Sequence, residues 1–152
     1  MVISRFEDIE SWRRARELGA EVYGFSTKGA FSKDFCLRDQ VQRACISVMA
    51  NIAEGFGRNG TIEFIRYLKI AQASTIEVQS HLYLALDRQY ITQRDFERLY
   101  GLAEGVRKLI GGFIRYLGTY QLETRNPKRA TATRNQKLET SPRTSQSRPL
   151  LH

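Results

Sequence analysis

An all-α fold, an antiparallel up-down-up-down bundle of four helices, is what this sequence predicts, and three observations lead there. Apolar residues recur every three or four positions from Asp8 to Leu117, as they do where one helix face meets a core. No stretch alternates apolar and polar residues in the manner of a half-buried strand. All three prolines lie beyond residue 126, so none interrupts a helix earlier in the chain.

The first helix is expected from about Asp8, a candidate N-cap, to Phe25, with Ile9, Trp12, Ala15, Leu18, Val22 and Phe25 on one face. Ser26 to Lys33, which contains Lys28-Gly29, reads as a loop. Asp34 is a second candidate cap, and the helix behind it runs to about Phe56. Gly57 and Gly60 bracket a tight break. The third helix spans Thr61 to about Arg88. Its Phe64, Leu68, Ala71, Thr75, Val78, Leu82 and Ala85 alternate spacings of four and three, the seam of a helix laid along another. The fourth opens at Thr92, with Asp95 three residues on as in a capping box. It continues through Phe96, Leu99, Ala103, Val106, Ile110, Phe113 and Leu117. Helices of roughly 18 to 29 residues joined by short turns pack antiparallel to their sequence neighbours. Gly101, Gly105 and Gly112 in the fourth helix cost roughly 1 kcal/mol each against Ala. Close helix packing and fraying at Gly111-Gly112 are both compatible with them.

The 152 residues suffice for one domain with a real core. The net charge of +8 is unevenly placed: residues 1–120 hold 17 Lys/Arg against 14 Asp/Glu, and residues 121–152 hold 7 against 2. Residues 1–120 are therefore assigned to the bundle. Residues 121–152, dominated by Thr, Ser, Arg, Asn, Gln and Pro, are expected to be a disordered basic tail, since they bury too little to offset ordering. Only two cysteines occur, no secretory signal precedes them, and no apolar run approaches the roughly 20 residues that span a bilayer. These features lead to the expectation of a soluble cytoplasmic protein with no membrane partner.

The second helix departs from an ordinary surface helix. Gln40, Arg43, Ser47, Asn51, Glu54 and Arg58 share one stripe. Leu37, Val41, Ala44, Val48 and Ile52 form one apolar face, and Ile46, Met49, Ala50 and Ala53 form another. In one reading the stripe is an internal network in which Arg43, Asn51 and Glu54 satisfy each other and neighbouring helices. In the other it lines a subunit interface or a ligand surface. The second apolar face still needs a cover, which points to self-association.

The stretch QVQRACISVMANIAEGFGRNGTIEFIRYLKIAQAS, residues 40–74, resembles the four-helix bundle family of 23S rRNA intervening-sequence proteins, as do the FEDIESW opening from Phe6 to Trp12 and the spacing up to Leu37. The resemblance covers about residues 5–118, and NIAEG followed by GR is its most specific part. It implies a bundle that assembles as a ring-like homopentamer. It also implies a likeness to accessory proteins of diversity-generating retroelements, which bind a reverse transcriptase and nucleic acid. The family's polar motif positions correspond to Gln40, Arg43, Ser47, Asn51, Glu54 and Arg58. The chain departs from the family pattern at Phe31-Ser32, where Phe-Pro is common. It departs again at Ala73-Ser74, where Gly-Ser is common, and at Gln79, near which a second acidic residue is common.

Catalytic, cofactor and metal-binding equipment is not recognisable. Carboxylate-bridged metal sites in bundles pair Glu with His three residues on, yet no Glu lies three residues before His81, and Glu77 stands four before it. The other histidine is the terminal His152. Cys36 and Cys45 fall on opposite sides of one helix, and Cys45 reads as an inert core residue. Gly55, Gly57 and Gly60 serve a helix–helix turn by positive φ or close approach rather than a phosphate loop. Neither an enzyme nor a cofactor is expected.

Candidate phosphate contacts on the bundle are Arg58, Arg66, Lys69, Arg107, Lys108 and Arg115, interleaved with Tyr67 and Tyr116, which can stack on unpaired bases. Taken singly, each reads first as part of a solvated helix face with the tyrosine rings buried. In the tail, Arg125, Lys128 and Arg129 lead a run of cations that can hold nucleic acid without sequence preference. The expected function is a non-enzymatic oligomeric bundle that binds nucleic acid, RNA before DNA, or a ribonucleoprotein. The alternative is a protein-interaction scaffold, such as an accessory subunit of a reverse transcriptase.

Overall fold

The structure, a computed structural model, describes residues 2–125. Four helices form it: α1 (Glu10–Ser26), α2 (Phe35–Phe56), α3 (Thr61–Asp87) and α4 (Gln93–Arg125), with short 3-10 turns at Phe6–Asp8 and Phe31–Lys33. No strand occurs among the described residues. The chain divides into two units, Met1–Gly118 and Thr119–His152. Helix α4 runs to Arg125, so residues 121–125, assigned to the tail by composition, are helical. The rest of the assigned tail lies outside the described residues.

The expected seams are the core. Leu18 and Val22 of α1, Val41, Val48 and Ile52 of α2, Leu68, Val78 and Leu82 of α3, and Leu99, Val106 and Ile110 of α4 are all fully or almost fully buried. Each such side chain contributes about 1.5–3 kcal/mol by leaving water, which is why the three- and four-residue spacing decides the fold. Thr75 shares this core because its hydroxyl donates to the Gln72 carbonyl at 2.6 Å. Helices α2 and α3 lie side by side in opposite directions, with Ser47 against Ser74 and Glu54 against Tyr67.

Caps set the helix ends, with two corrections to the sequence reading. Asp34 accepts the Leu37 N–H at 3.1 Å and starts α2 as expected. Asp8 does not cap α1. Its carboxylate accepts from the backbone and hydroxyl of Ser4 and from the Arg5 N–H instead, closing the 3-10 turn, and Ile9 becomes an N-cap without a side-chain bond. At α4, Thr92 Oγ1 accepts the Asp95 N–H at 3.1 Å, but the Asp95 carboxylate meets the Thr92 hydroxyl at 2.9 Å, so only half of a capping box forms.

Gly55 in the last turn of α2 and Gln89 after α3 carry tight backbone constraints. A Cβ on Gly55 would stand 2.7 Å from Tyr67 Cβ and 2.9 Å from Phe64 Cδ2, so α2 and α3 meet where only glycine fits. At the other end of α3, the Gln89 N–H bonds the Leu86 carbonyl and the Tyr90 N–H bonds the Ala85 carbonyl, both at 2.9 Å. This is a Schellman cap, and its left-handed position is held by Gln89 at φ 58° rather than by glycine. At Gly101 and Gly105 an added Cβ would meet nothing within 4 Å, so close packing does not account for them, and α4 continues unbroken through Gly111-Gly112.

A polar clamp joins α3 to α4. Buried Gln79 donates Nε2 to Glu104 Oε2 at 3.0 Å, and Arg107 grips the same carboxylate through Nε at 2.9 Å and Nη2 at 2.6 Å. The Arg107 hydrogen bonds, with that of Gln79, hold the Glu104 carboxyl at about 2.

Three outcomes follow. Gly55→Ala should destabilise the fold by about 1–3 kcal/mol in urea denaturation, since Tyr67 Cβ and the Phe64 ring must shift. Gln89→Gly should raise stability by about 1 kcal/mol by removing the left-handed strain. The third concerns acid: a carboxyl held below its ordinary 4.5 stabilises the fold fully above that pH, and the contribution fades as pH falls towards about 2. The stability gap between the parent chain and Glu104→Gln should therefore narrow below about pH 4.5, and a gap constant with pH would show that the ionised clamp contributes nothing.

Candidate functional site

The polar stripe of α2 lies along the groove between α2 and α3, because its middle members bond across that groove or along it. Ser47 and Ser74 share a hydroxyl–hydroxyl bond of 2.8 Å, and Ser74 donates onward to the Ile70 carbonyl at 3.1 Å. Asn51 Nδ2 donates to the Ser47 carbonyl at 2.8 Å and to Ser47 Oγ at 3.1 Å. Arg58 Nη2 donates to Glu54 Oε1 at 2.6 Å, Tyr67 donates to the same oxygen at 3.3 Å, and the Arg58 guanidinium lies 5.3 Å from the Tyr67 ring centre. The Arg58 hydrogen bond, with help from Tyr67, holds the Glu54 carboxyl below the usual carboxylate range.

These contacts correct the picture of one internal network. Arg43, Asn51 and Glu54 do not satisfy each other. Asn51 is held within its own helix, Glu54 turns to Arg58 and Tyr67, and Arg43 is exposed without an ion pair among the described residues. Gln40 is also exposed and lines a 280 Å³ hollow with Cys36 and His81. The stripe is therefore a half-open surface. Apolar residues flank it: Ile46 is 52% exposed, Ile70 is 44% exposed, and Ala50 and Ala73 are exposed beside them.

The candidate phosphate contacts separate into two kinds. Arg58 and Arg107 are engaged by Glu54 and Glu104. Arg66 is exposed, with Glu63 at 3.7 Å, and Lys69, Lys108 and Arg115 are exposed as well. Tyr67 lies under Arg58, whereas Tyr116 is 64% exposed and stacks on Phe113 at 6.4 Å. Lys128 and Arg129 lie outside the described residues, and of Arg125 only the helical backbone is described.

Among the described residues no three His, Cys, Asp or Glu side chains are grouped so as to hold a metal ion. His81 Nε2 stands 3.4 Å from Glu77 Oε1, a helical polar pair. Cys36 is exposed, and burial pushes the Cys45 thiol up to about 12, far from a reactive thiolate. No described helix is long and apolar enough to cross a membrane.

The sequence reading missed a cleft of about 570 Å³ between the end of α1, the loop after it and the α3–α4 turn. Glu21, Phe25, Lys28, Gln89, Tyr90 and Arg98 contribute to its walls. Arg98 pairs with Glu21 at 2.8 Å and lies 5.9 Å from the Phe25 ring centre. Tyr90 stacks on Phe31 at 5.2 Å and donates its hydroxyl to Asp34 at 3.0 Å. The sole signal in the sequence was the loop around Lys28-Gly29.

Comparison with known proteins agrees with this architecture. No curated protein matches the chain. A solved structure from Bacteroides thetaiotaomicron, described as a protein of unknown function from the S23 ribosomal protein family, is similar, with 25% sequence identity and a TM-score of 0.62. The match covers 68% of this chain and 97% of that one. The family model described as 23S rRNA-intervening sequence protein matches residues 7–112, which include the α2 stripe, the Gly55 contact and the Gln79–Glu104 clamp. The chain belongs to the 23S rRNA-intervening sequence protein family.

Proposed function

We propose that this protein is a non-enzymatic bundle that assembles with copies of itself, as a ring of five by family resemblance, and binds nucleic acid, RNA before DNA. The observation that carries the proposal is the uncovered apolar surface on either side of the α2–α3 groove. Ile46 and Ala50 flank the stripe on one helix and Ile70 and Ala73 on the other, around a line of hydrogen-bonding groups. Exposed apolar area on this scale, interleaved with hydrogen-bonding groups, marks a surface suited to a subunit interface.

The nucleic-acid half rests on exposed Arg66, Lys69 and Lys108, on the open ring of Tyr116, and on the cationic C-terminal residues. Cations of this kind bind phosphate without reading sequence, and an exposed aromatic ring stacks on unpaired bases. Assembly multiplies such weak contacts by avidity. The family's description names an intervening sequence of 23S rRNA, which makes RNA the first ligand to try. A second reading, a scaffold for a protein partner such as a reverse transcriptase, is favoured by the engagement of Arg58 and Arg107 in ion pairs.

Mass in solution and RNA retention across a salt series test both halves. The chain should run as a multimer, and Ile46→Asp combined with Ile70→Asp should reduce it to a helical monomer. RNA retention should weaken steeply with salt and fall further in Arg66→Gln/Lys69→Gln/Lys108→Gln. A parent chain that is monomeric at micromolar concentration ends the assembly proposal. Failure to retain RNA or DNA at low salt ends the nucleic-acid proposal and leaves the scaffold reading.

A further inference from the structure

We infer that the 570 Å³ cleft formed by the end of α1, the loop after it and the α3–α4 turn is a pocket for one unpaired nucleotide. Its base would be held by the Arg98 guanidinium plane and Gln89, and its phosphate by Lys28. The inference rests on the nucleic-acid reading above and places a defined contact within it, away from the α2–α3 groove.

The volume lies inside the roughly 300–1,000 Å³ range of small-ligand pockets. Its walls are set before any ligand arrives. Tyr90 is fixed by its stack on Phe31 and its hydrogen bond to Asp34, and Arg98 is fixed by Glu21 beside the Phe25 ring. Tyr90 is covered by Phe31 at 5.2 Å and by Arg88 at 6.0 Å, and Phe25 by Arg98 at 5.9 Å, so the plane offered to an unpaired base is the Arg98 guanidinium, a surface on which proteins stack bases. A rigid wall also spares the ligand the cost of ordering it.

Two polar groups in the cleft are uncommitted. The Lys28 ammonium has no ion pair and the Gln89 amide has no hydrogen bond among the described residues, yet both line the cavity. An amide presents donor and acceptor together, which matches the edge of a nucleobase. An ammonium on a flexible stem suits a phosphate. Lys28 and Arg98 against Glu21 leave the cleft with a net positive charge.

The backbone at Gln89 is the independent sign. The residue sits at φ 58° in a Schellman cap, a position where glycine is free of strain and glutamine is not. Strain kept at a cavity wall marks a side chain retained for what it contacts. The Gln89 backbone does nothing for the cap that glycine would not do, so its amide is the part that distinguishes it.

Titration of the full chain with AMP, GMP, CMP and UMP, and with inorganic phosphate, tests this by calorimetry and by perturbation of amide resonances. At least one nucleotide should bind, with inorganic phosphate at least about tenfold weaker. Gln89→Gly should weaken nucleotide binding about tenfold while raising the melting temperature, so loss of binding is not loss of fold. Lys28→Gln should weaken all four nucleotides alike and flatten their salt dependence. No nucleotide binding at millimolar concentration, equal binding of phosphate alone, or unchanged binding in Gln89→Gly each overturns the inference. Retention of RNA with an inert cleft would leave the surface proposal standing. Nucleotide binding in a chain that retains no RNA would do the reverse.

Discussion

Helices α2 and α3 touch at Gly55 with less room than one methyl group needs, and the geometry of the bundle's polar surface depends on that contact. With Tyr67 Cβ 2.7 Å from where a Gly55 Cβ would lie, the two axes are locked at one depth and one register. That register brings Ser47 to Ser74 and Glu54 to Tyr67, and it positions the Phe64 ring against both Phe56 and Phe113 in edge-on contacts. The aromatic chain then ties α2 to α4 through α3. Interiors packed to crystal density transmit such constraints, because no neighbouring side chain has slack to absorb a shift. The most specific run of the family resemblance, NIAEG, ends on this glycine.

Ion pairs in this molecule orient side chains more than they stabilise it. Exposed pairs such as Arg58–Glu54 and Arg98–Glu21 contribute little, since water screens them. Their geometry matters more. Arg58 is laid over Tyr67 and Arg98 is held beside Phe25, so each cation is removed from the pool available to phosphate and becomes part of a wall. The Glu104 clamp differs, because Arg107 reaches both carboxylate oxygens while buried Gln79 supplies a third bond.

The architecture was legible in the sequence wherever it depended on local rules. The bounds of α2, the Asp34 cap and the core positions follow from periodicity and from a single carboxylate at a helix start. Asp8 failed as a cap because Ser4 and Arg5 offered its carboxylate nearer donors in a 3-10 turn, a competition that periodicity does not register. The end of α4 was placed too early because composition reports the cost of ordering and not whether a helix already begun will propagate. The α2 stripe was visible as a stripe, yet its partners were not. Gln79 and Glu104 lie on different helices, and no pattern within either one announces the bond between them. The cleft was invisible for the same reason, since its walls come from three separated segments.

The three connections of the bundle make the case for the cleft from a different direction. Each uses one residue at positive φ: Gly29 between α1 and α2, Gly60 between α2 and α3, and Gln89 between α3 and α4. Two of the three take the residue for which that conformation is free, and the third takes one for which it is not. If strain were indifferent at these turns, any residue would serve at all three. If it were merely minimised, glycine would stand at all three. Gly29 and Gln89 both line the cleft, and of the two only Gln89 brings a side chain to it, among a fixed tyrosine, a fixed arginine and an unpaired lysine. A side chain that costs stability where it stands, and meets no partner within its own bundle, is accounted for by a partner that comes from outside.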